Sequence, residues 1–414
     1  MERMGKNPMF CARFLMQYIR RYCSALVIFF AIWTLFPACE RKQEVPVLLK
    51  KTITPATIKS EIVIAAVGDV MMPASIQAAI SDKKRGYDFL FENVAEDLQA
   101  ADITFANLET AVDHKAVFSG YPKFNSRPAV LLALRKAGVR IVSVANNHIM
   151  DTGAGGLKRT LGNIEATGLV FIGAGRSKAE ASEIKYLKAR DVNVAFLAYA
   201  YGTNERLPPK APRAPGVNIL RTNSEPDLDR AVVTVRLARA SADLVVVSLH
   251  WGDEYAADPT PWQRRIASEL IEAGADVILG HHPHVLQPIE SHAARDGRVG
   301  LIVFSLGNFV SSQNAGITYQ NKSHRKALTG DGIILGITVR KEGGKTAVER
   351  AEFLPIWSLR TKTGRGSVYR PVGLSREISF LTAKQTRNTA ENGLMQLLTY
   401  RQACIIRKLT GKLE

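Results

Sequence analysis

Three imidazoles fall within four positions in Gly280-His281-His282-Pro283-His284, directly after Ala275-Asp276-Val277-Ile278-Leu279. The apolar run reads as a buried strand. The glycine and turn after it put nitrogen ligands at the C-terminal edge of a sheet, where open α/β sheets hold their ligands. His282 and His284 are two apart, so in extended backbone both lean toward one point. Neutral imidazole ligates Zn, Fe, Mn and related ions. A lone histidine here would read as a solvated turn residue; three after one strand favour metal or phosphate chemistry.

The same phase recurs along the chain. The apolar run at 62–67 stops at Gly68-Asp69, and that at 102–106 ends at Asn107-Leu108-Glu109. Residues 139–145 end at Asn146-Asn147-His148, residues 243–249 at His250 with Glu254 close behind, and residues 301–306 at Gly307-Asn308. Singly, Asp69 reads as a turn former, Asn147 as an Asx-turn and His250 as a hydrogen-bonded core histidine. Together they read as one rim, because independent surface residues would not keep this phase. Asp, Asn, Glu and several His without Cys suit Zn, Mn or Fe, as one ion or two sharing a carboxylate. His148 is alternatively the group that protonates a leaving oxygen, with Asp151 orienting it.

The elements between these points alternate. Helices are expected over 73–80, 89–101, 128–137, 156–166, 227–240 and 260–273, the last with Pro261 near its start and Gly274 past its end. A further strand is expected over 192–200. Alternating strand and helix predicts an α/β fold with a largely parallel, helix-covered sheet. Residues 333–340 and 346–353 alternate polar and apolar and read as antiparallel.

The chain has 414 residues, 46% hydrophobic and 22% charged, an ordinary globular composition. Its formal charge of +17 sits at the ends: residues 1–51 carry +6 and residues 355–414 carry +8, leaving +3 for the long middle. Basic ends suit anionic lipid, a cell-wall polymer or a polyanionic product, with solvated tails as the alternative. No nucleic-acid partner is expected. Cys11, Cys23, Cys39 and Cys404 form no CxxC pair, so neither a zinc ribbon nor a disulfide framework is supported.

Residues 1–39 follow export-signal grammar: a basic start ending in Arg20-Arg21, an apolar run at 24–36 shorter than a spanning helix wants, then Ala38 before Cys39. Leu35-Phe36-Pro37-Ala38-Cys39 resembles a bacterial lipoprotein box, with Phe36 where a leucine is usual. Cys39 is thus the expected lipidation site, the alternative being an uncleaved anchor. Either places the rest outside the cytoplasm, on the cell membrane. Residues 40–60 read as a linker, 61–355 as the main domain and 356–414 as a basic helical segment suited to docking or to a membrane surface.

Six stretches carry a family resemblance: Val67-Gly68-Asp69-Val70-Met71-Met72, Ala106-Asn107-Leu108-Glu109-Thr110, residues 144–153 around Asn147-His148, Leu249-His250-Trp251-Gly252-Asp253-Glu254-Tyr255, Gly280-His281-His282-Pro283-His284-Val285, and Ser305-Leu306-Gly307-Asn308-Phe309. Residues 61–355 resemble the CapA capsule-synthesis family, associated with poly-gamma-glutamate, within the calcineurin-like metallophosphatase superfamily. The resemblance implies a four-layer α/β/β/α sandwich holding one or two divalent transition-metal ions (Mn, Zn or Fe). It implies Asp69, Asn147, His250, His282 and His284 as ligands and His148 as acid, and leaves His281 without a role. Two positions depart from the superfamily pattern. Met71 stands where the opening Asp-x-His motif has its histidine. Asn107 stands at the bridging aspartate, with Glu109 two residues on. A mononuclear site is then expected, or one rebuilt with Glu109 and Glu254; Asn107 stays among the metal-ligand candidates, and Glu254 is also a candidate catalytic carboxylate.

Two functions remain open at this point. One is a metal-dependent hydrolase or transferase acting on a phosphoester or anionic polymer. The other is a non-catalytic accessory or polymer-binding subunit of a capsule synthesis complex.

Overall fold

The computed structural model describes residues 59–80, 86–206, 214–363 and 366–411. The expected signal, Cys39 and nearly all of the expected linker lie outside them. In chain order the elements are β1 (Lys59–Val70), α1 (Ala74–Ile80), α2 (Asp88–Phe91), α3 (Ala95–Gln99), β2 (Ile103–Leu108), α4 (Ala129–Lys136), β3 (Ile141–Ser143), α5 (Gly153–Ala166), β4 (Val170–Ile172) and β5 (Ala174–Gly175). Then follow α6 (Lys178–Ala181), β6 (Lys185–Ala189), β7 (Val192–Ala200), β8 (Gly216–Val217), α7 (Glu225–Arg239), β9 (Leu244–His250), α8 (Pro261–Ala273), β10 (Val277–His281), β11 (Ile289–Ala293) and β12 (Val299–Val303). The chain closes with β13 (Asn308–Val310), β14 (Asp331–Glu342), β15 (Lys345–Thr363), β16 (Gly366–Gly373), α9 (Leu374–Thr382) and α10 (Thr389–Thr410).

The strands form two main sheets. The first runs β16-β15-β14-β1-β2-β3-β4, with β13 also paired to β1; the second runs β11-β12-β10-β9-β7-β6. Each is mixed. β1 to β4 are parallel neighbours while β14, β15 and β16 are antiparallel; β7, β9, β10 and β12 are parallel with antiparallel strands at both edges. The antiparallel expectation for residues 333–353 thus holds in β14 and β15.

Side-chain alternation assigns the layers. On β7, Val194, Phe196 and Ala198 join the core shared with the first sheet, whereas Ala195, Leu197 and Tyr199 join a separate core with Leu228 and Val235 of α7 and Ile266 and Leu270 of α8. β9 and β10 divide the same way, Val246 and Leu279 inward and Val247 and Ile278 toward the helices. One sheet therefore packs on the other, with helices outside, giving the α/β/β/α sandwich. Strands covered on both faces read as unbroken apolar runs, which is why β9 and β10 are buried at every residue.

Local chemistry sets the boundaries. Thr260 caps α8: its Oγ1 accepts from the Gln263 amide at 3.2 Å while Gln263 Oε1 accepts from the Thr260 amide at 2.9 Å. The single helix expected over 89–101 is instead α2 and α3. The break is held from outside: Asn93 Oδ1 accepts from the Gly373 amide at 2.9 Å, and Arg376 bonds the Asn93 carbonyl.

The first sheet runs past residue 355, where sequence alone set a domain boundary. β15 spans that point and β16 extends the sheet, so helix begins only at Leu374. α10 docks with Leu397, Leu398 and Ile405 buried, and with a buried ion pair from Arg401 Nε to Asp331 Oδ1 at 3.0 Å. Among the described residues no helix is long and apolar enough to cross a membrane.

Candidate metal centre

The strand ends bring their polar residues to one pocket at the seam between the sheets. β1 delivers Asp69, β2 delivers Asn107 with Glu109 just beyond it, the loop after β3 carries Asn147 and His148, and β9 ends in His250. β10 ends at His281 and turns through His282 and His284. All of these are buried, and only Glu254 stands exposed. Two glycines let the strand ends meet. A Cβ on Gly68 would lie 1.9 Å from the Gly307 carbonyl oxygen, and one on Gly280 would lie 1.9 Å from that of Phe304.

Hydrogen bonds tie the pocket together. Asn107 Nδ2 donates to Asp69 Oδ1 at 2.8 Å and lies 3.3 Å from His250 Nδ1, joining the two sheets. Asp69 also faces His281 Nδ1 and His284 Nδ1, each at 3.1 Å. Asn147 Oδ1 is 2.9 Å from His250 Nε2. Glu109 Oε1 is 3.5 Å from His250 Nε2 and 3.8 Å from His284 Nε2. The turn is held in left-handed backbone, with φ of 94° at His282 and 57° at His284. Conformations of this kind cost about 1–3 kcal/mol each and persist at sites where the surrounding structure enforces them. Asn308 supports the turn, donating from Nδ2 to the His284 carbonyl at 3.2 Å.

A second constellation adjoins the first. His148 Nδ1 lies 2.7 Å from Asp151 Oδ2, which also accepts from the Phe124 amide at 2.6 Å. Asp151 thus fixes the ring and leaves Nε2 as the nitrogen able to exchange a proton. Asn204 ties down the Asn147 loop, its amide donating to the Asn147 carbonyl at 2.8 Å and its Oδ1 accepting from Asn147 Nδ2 at 3.4 Å. Sequence reading passed over Asn204 and Tyr201, although both follow the end of β7 in the same phase as the other rim residues. Tyr201 packs against the His250 and His282 rings, with centroids 6.3 and 4.8 Å away.

The electrostatics are those of a cation site. Burial pushes Glu109 well above the usual carboxylate range, and the Asp69 and Glu254 charges push it further. Burial would also raise Asp69, but the His281 and His284 donors overcome it and hold the carboxyl well below its usual range. Burial keeps His250 neutral, with His282 adding to the effect; burial and then His284 lower His282 to about 3. Neutral imidazoles around a charge-starved carboxylate are lone pairs without a Lewis acid.

The residues fit a divalent ion. Glu109 Oε1 and Oε2 and His282 Nδ1 are shielded from water with no hydrogen-bond partner. Ligand atoms of Glu109, His250 and His282 lie within 4.8 Å of one another, as do those of Glu254, His282 and His284, and those of Asp69, Glu109 and His284. Glu109 belongs to two of these groups, where a bridging carboxylate would stand. Met71, just past the end of β1, is buried and offers no imidazole.

Known proteins resemble the chain over this region. It is 35% identical over 251 residues to the PGA biosynthesis protein CapA of Bacillus subtilis (strain 168), covering 60% of this chain and 62% of that protein. It is 32% identical over 259 residues to the capsule biosynthesis protein CapA of Bacillus anthracis, covering 60% and 59%. A probable polyglutamine synthesis accessory protein of Mycobacterium tuberculosis is 28% identical over 203 residues, covering 47% and 53%. The chain therefore spans about three-fifths of the length of the first two relatives. The model of the family described as bacterial capsule synthesis protein PGA_cap matches residues 63–313, a span that contains every residue of the pocket. On that match, the chain belongs to the PGA_cap family of bacterial capsule synthesis proteins.

Proposed function

We propose that this chain is a membrane-anchored protein, facing outside the cytoplasm, that works in the synthesis or export of an anionic capsule polymer of poly-gamma-glutamate type. In this reading its pocket performs metal-dependent hydrolysis or transfer on a phosphoester or on the polymer. The observation that carries the reading is Glu109, a buried carboxylate with no hydrogen-bond partner, set among the imidazoles of His250, His282 and His284. The printed names of the two Bacillus relatives support the polymer. The apolar run at 24–36 and Cys39 support the location.

Glu109, His250, His282 and His284 would hold a divalent ion (Mn, Zn or Fe), with Asn147 Oδ1 and Glu254 at its margin. Such an ion supplies Lewis acidity at a phosphoryl or acyl oxygen and acidifies water. His148, fixed through Nδ1 by Asp151, donates a proton from Nε2 to the leaving oxygen. Asn204 holds Asn147 in place through its amide and side chain. Tyr201 covers His250 and His282 and shields them from water.

A second reading, a non-catalytic accessory or polymer-binding subunit of a capsule synthesis complex, is favoured by Met71 and Asn107, where two superfamily ligands are replaced. The Mycobacterium relative's description as an accessory protein points the same way. The test is hydrolysis of a generic phosphodiester and of poly-gamma-glutamate by the Mn2+-loaded chain and by His148→Ala. Turnover lost in the variant supports catalysis; no turnover by wild type alongside tight polymer binding establishes the accessory role.

A further inference from the structure

Residues 114–127, between β2 and α4, include Lys115, Lys123 and Arg127 but no Asp or Glu. Val117 and Tyr121 on this loop are each 86% exposed, more than any other large hydrophobic side chain among the described residues. Apolar side chains scattered singly over a surface need no explanation; two held into water on one short loop mark a contact surface.

The exposure is built by the loop's base. Asn125 is buried there. Its Oδ1 accepts from the Asp113 amide at 2.8 Å, and its Nδ2 donates to the Asp113 and Val117 carbonyls at 3.0 Å and to that of Ala116 at 3.3 Å. Ser119 and Asn125 exchange main-chain hydrogen bonds at 3.0 and 3.2 Å. The buried Gln77 of α1 donates from Nε2 to both of their carbonyls, at 3.1 and 3.2 Å. The tip is thereby held outward. Its far end leads straight into the pocket: the Phe124 ring meets that of His148 edge-on with centroids 4.7 Å apart.

An aliphatic and an aromatic side chain flanked by lysines, with no acid among them, suit the boundary of an anionic bilayer. The apolar groups enter between headgroups and the ammonium groups meet lipid phosphates. A soluble polyanion would engage the lysines alone and leave Val117 and Tyr121 in water. Lys123 pairs with Glu205 at 2.6 Å, but both side chains are more than a third exposed, so the pair is weak and a phosphate can replace it. We propose that residues 115–123 seat in the headgroup region of an anionic bilayer, with Val117 and Tyr121 inserted and Lys115 and Lys123 on lipid phosphates, which sets the pocket beside His148 at the bilayer surface. The proposal rests on the membrane location in the reading above.

The test uses the purified full chain with vesicles of phosphatidylcholine, alone or mixed with phosphatidylglycerol. Val117→Trp is compared with Leu237→Trp, a control at an exposed residue of α7. Brominated acyl chains should quench Val117→Trp above the wild-type background in the phosphatidylglycerol vesicles, less in phosphatidylcholine alone, and leave Leu237→Trp unquenched. Adding Lys115→Gln and Lys123→Gln to Val117→Trp should lower the bound-to-free ratio of the tip by about fivefold for each lysine. Flotation of wild type on phosphatidylcholine reads the N-terminal anchor separately. A chain that floats with Val117→Trp unquenched overturns the proposal and keeps the anchor. A chain that floats only on phosphatidylglycerol, with the tip quenched, keeps the proposal and removes the anchor. No flotation on either vesicle, or equal quenching of both tryptophans, overturns the proposal. So does a Val117→Trp emission that shifts with poly-gamma-glutamate and not with vesicles, which assigns the tip to the polymer, or one that shifts with protein concentration alone, which assigns it to a second copy.

Discussion

Glu109 and His250 approach to 3.5 Å across the seam of the sandwich, one from beyond β2 of the first sheet and the other from the end of β9 in the second. Neither sheet alone makes the pocket. A buried carboxylate with no hydrogen-bond partner and the Asp69 and Glu254 carboxylates near it destabilises the metal-free fold, and a divalent ion removes that penalty.

Glu109→Gln is therefore expected to act in two opposite directions. The folded-state pKa of Glu109 is raised above its ordinary 4.5. Its contribution to stability is thus fully present below that value and is lost as pH rises through the folded pKa. The metal-free variant should be more stable than wild type at pH 7.5 by about 1–3 kcal/mol, with the gap closing toward pH 4. It should also bind Mn2+ or Zn2+ at least about tenfold more weakly. Thermal melts across pH and calorimetry check both; a variant that is less stable at pH 7.5 and binds metal normally contradicts the role given to Glu109.

Metal affinity should itself rise with pH. Binding requires Glu109 to give up a proton that burial makes it keep, so each binding event releases protons in the range where metal-free Glu109 is protonated. Calorimetry at a series of pH values above 4.5, in two buffers of different ionisation enthalpy at each, measures this directly. Equal apparent enthalpies in the two buffers would show that no proton leaves.

His282 and His148 should separate binding from proton transfer. His282→Ala is expected to lower metal content, because His282 belongs to two of the three ligand groups. His148→Ala should keep its metal and lose turnover by about 100-fold or more, the usual size of a general-acid contribution. Elemental analysis beside the phosphodiester assay distinguishes them; equal metal loss from both would reverse the assignment.

The C-terminal helix offers a test of stability alone. Arg401→Ala leaves Asp331 buried without its partner and should destabilise the fold by about 3–5 kcal/mol. Chemical denaturation measures it; a loss below about 1 kcal/mol would mean that the pair is solvated in solution.

Cys39→Ser tests the anchor. The lipoprotein reading expects the variant to leave the membrane fraction, whereas retention there identifies an uncleaved apolar anchor.

Much of the site was legible because β1, β2, β3, β9 and β10 are covered on both faces, so their apolar runs stop abruptly at Asp69, Asn107, Asn147, His250 and the histidine turn. What was illegible depended on contacts distant in sequence. Nothing near Asn93 announces that Gly373 and Arg376 interrupt a helix there. Arg360, Lys362 and Arg370 read as a basic tail, yet they lie in β15 and β16 at the end of the first sheet, where charged side chains tolerate solvent. Asn204 follows the end of β7 as the other rim residues follow their strands, but its bonds to Asn147 are set by the fold. The left-handed backbone of His282 and His284 follows from the packing of the turn, not from its residue types.

The most direct measurement is metal stoichiometry. Wild-type chain dialysed against Mn2+ or Zn2+ and analysed by mass spectrometry should carry about one ion per molecule, or two if Glu109 bridges, and Glu109→Gln should carry substantially less. Wild type that retains no ion under these conditions contradicts the account.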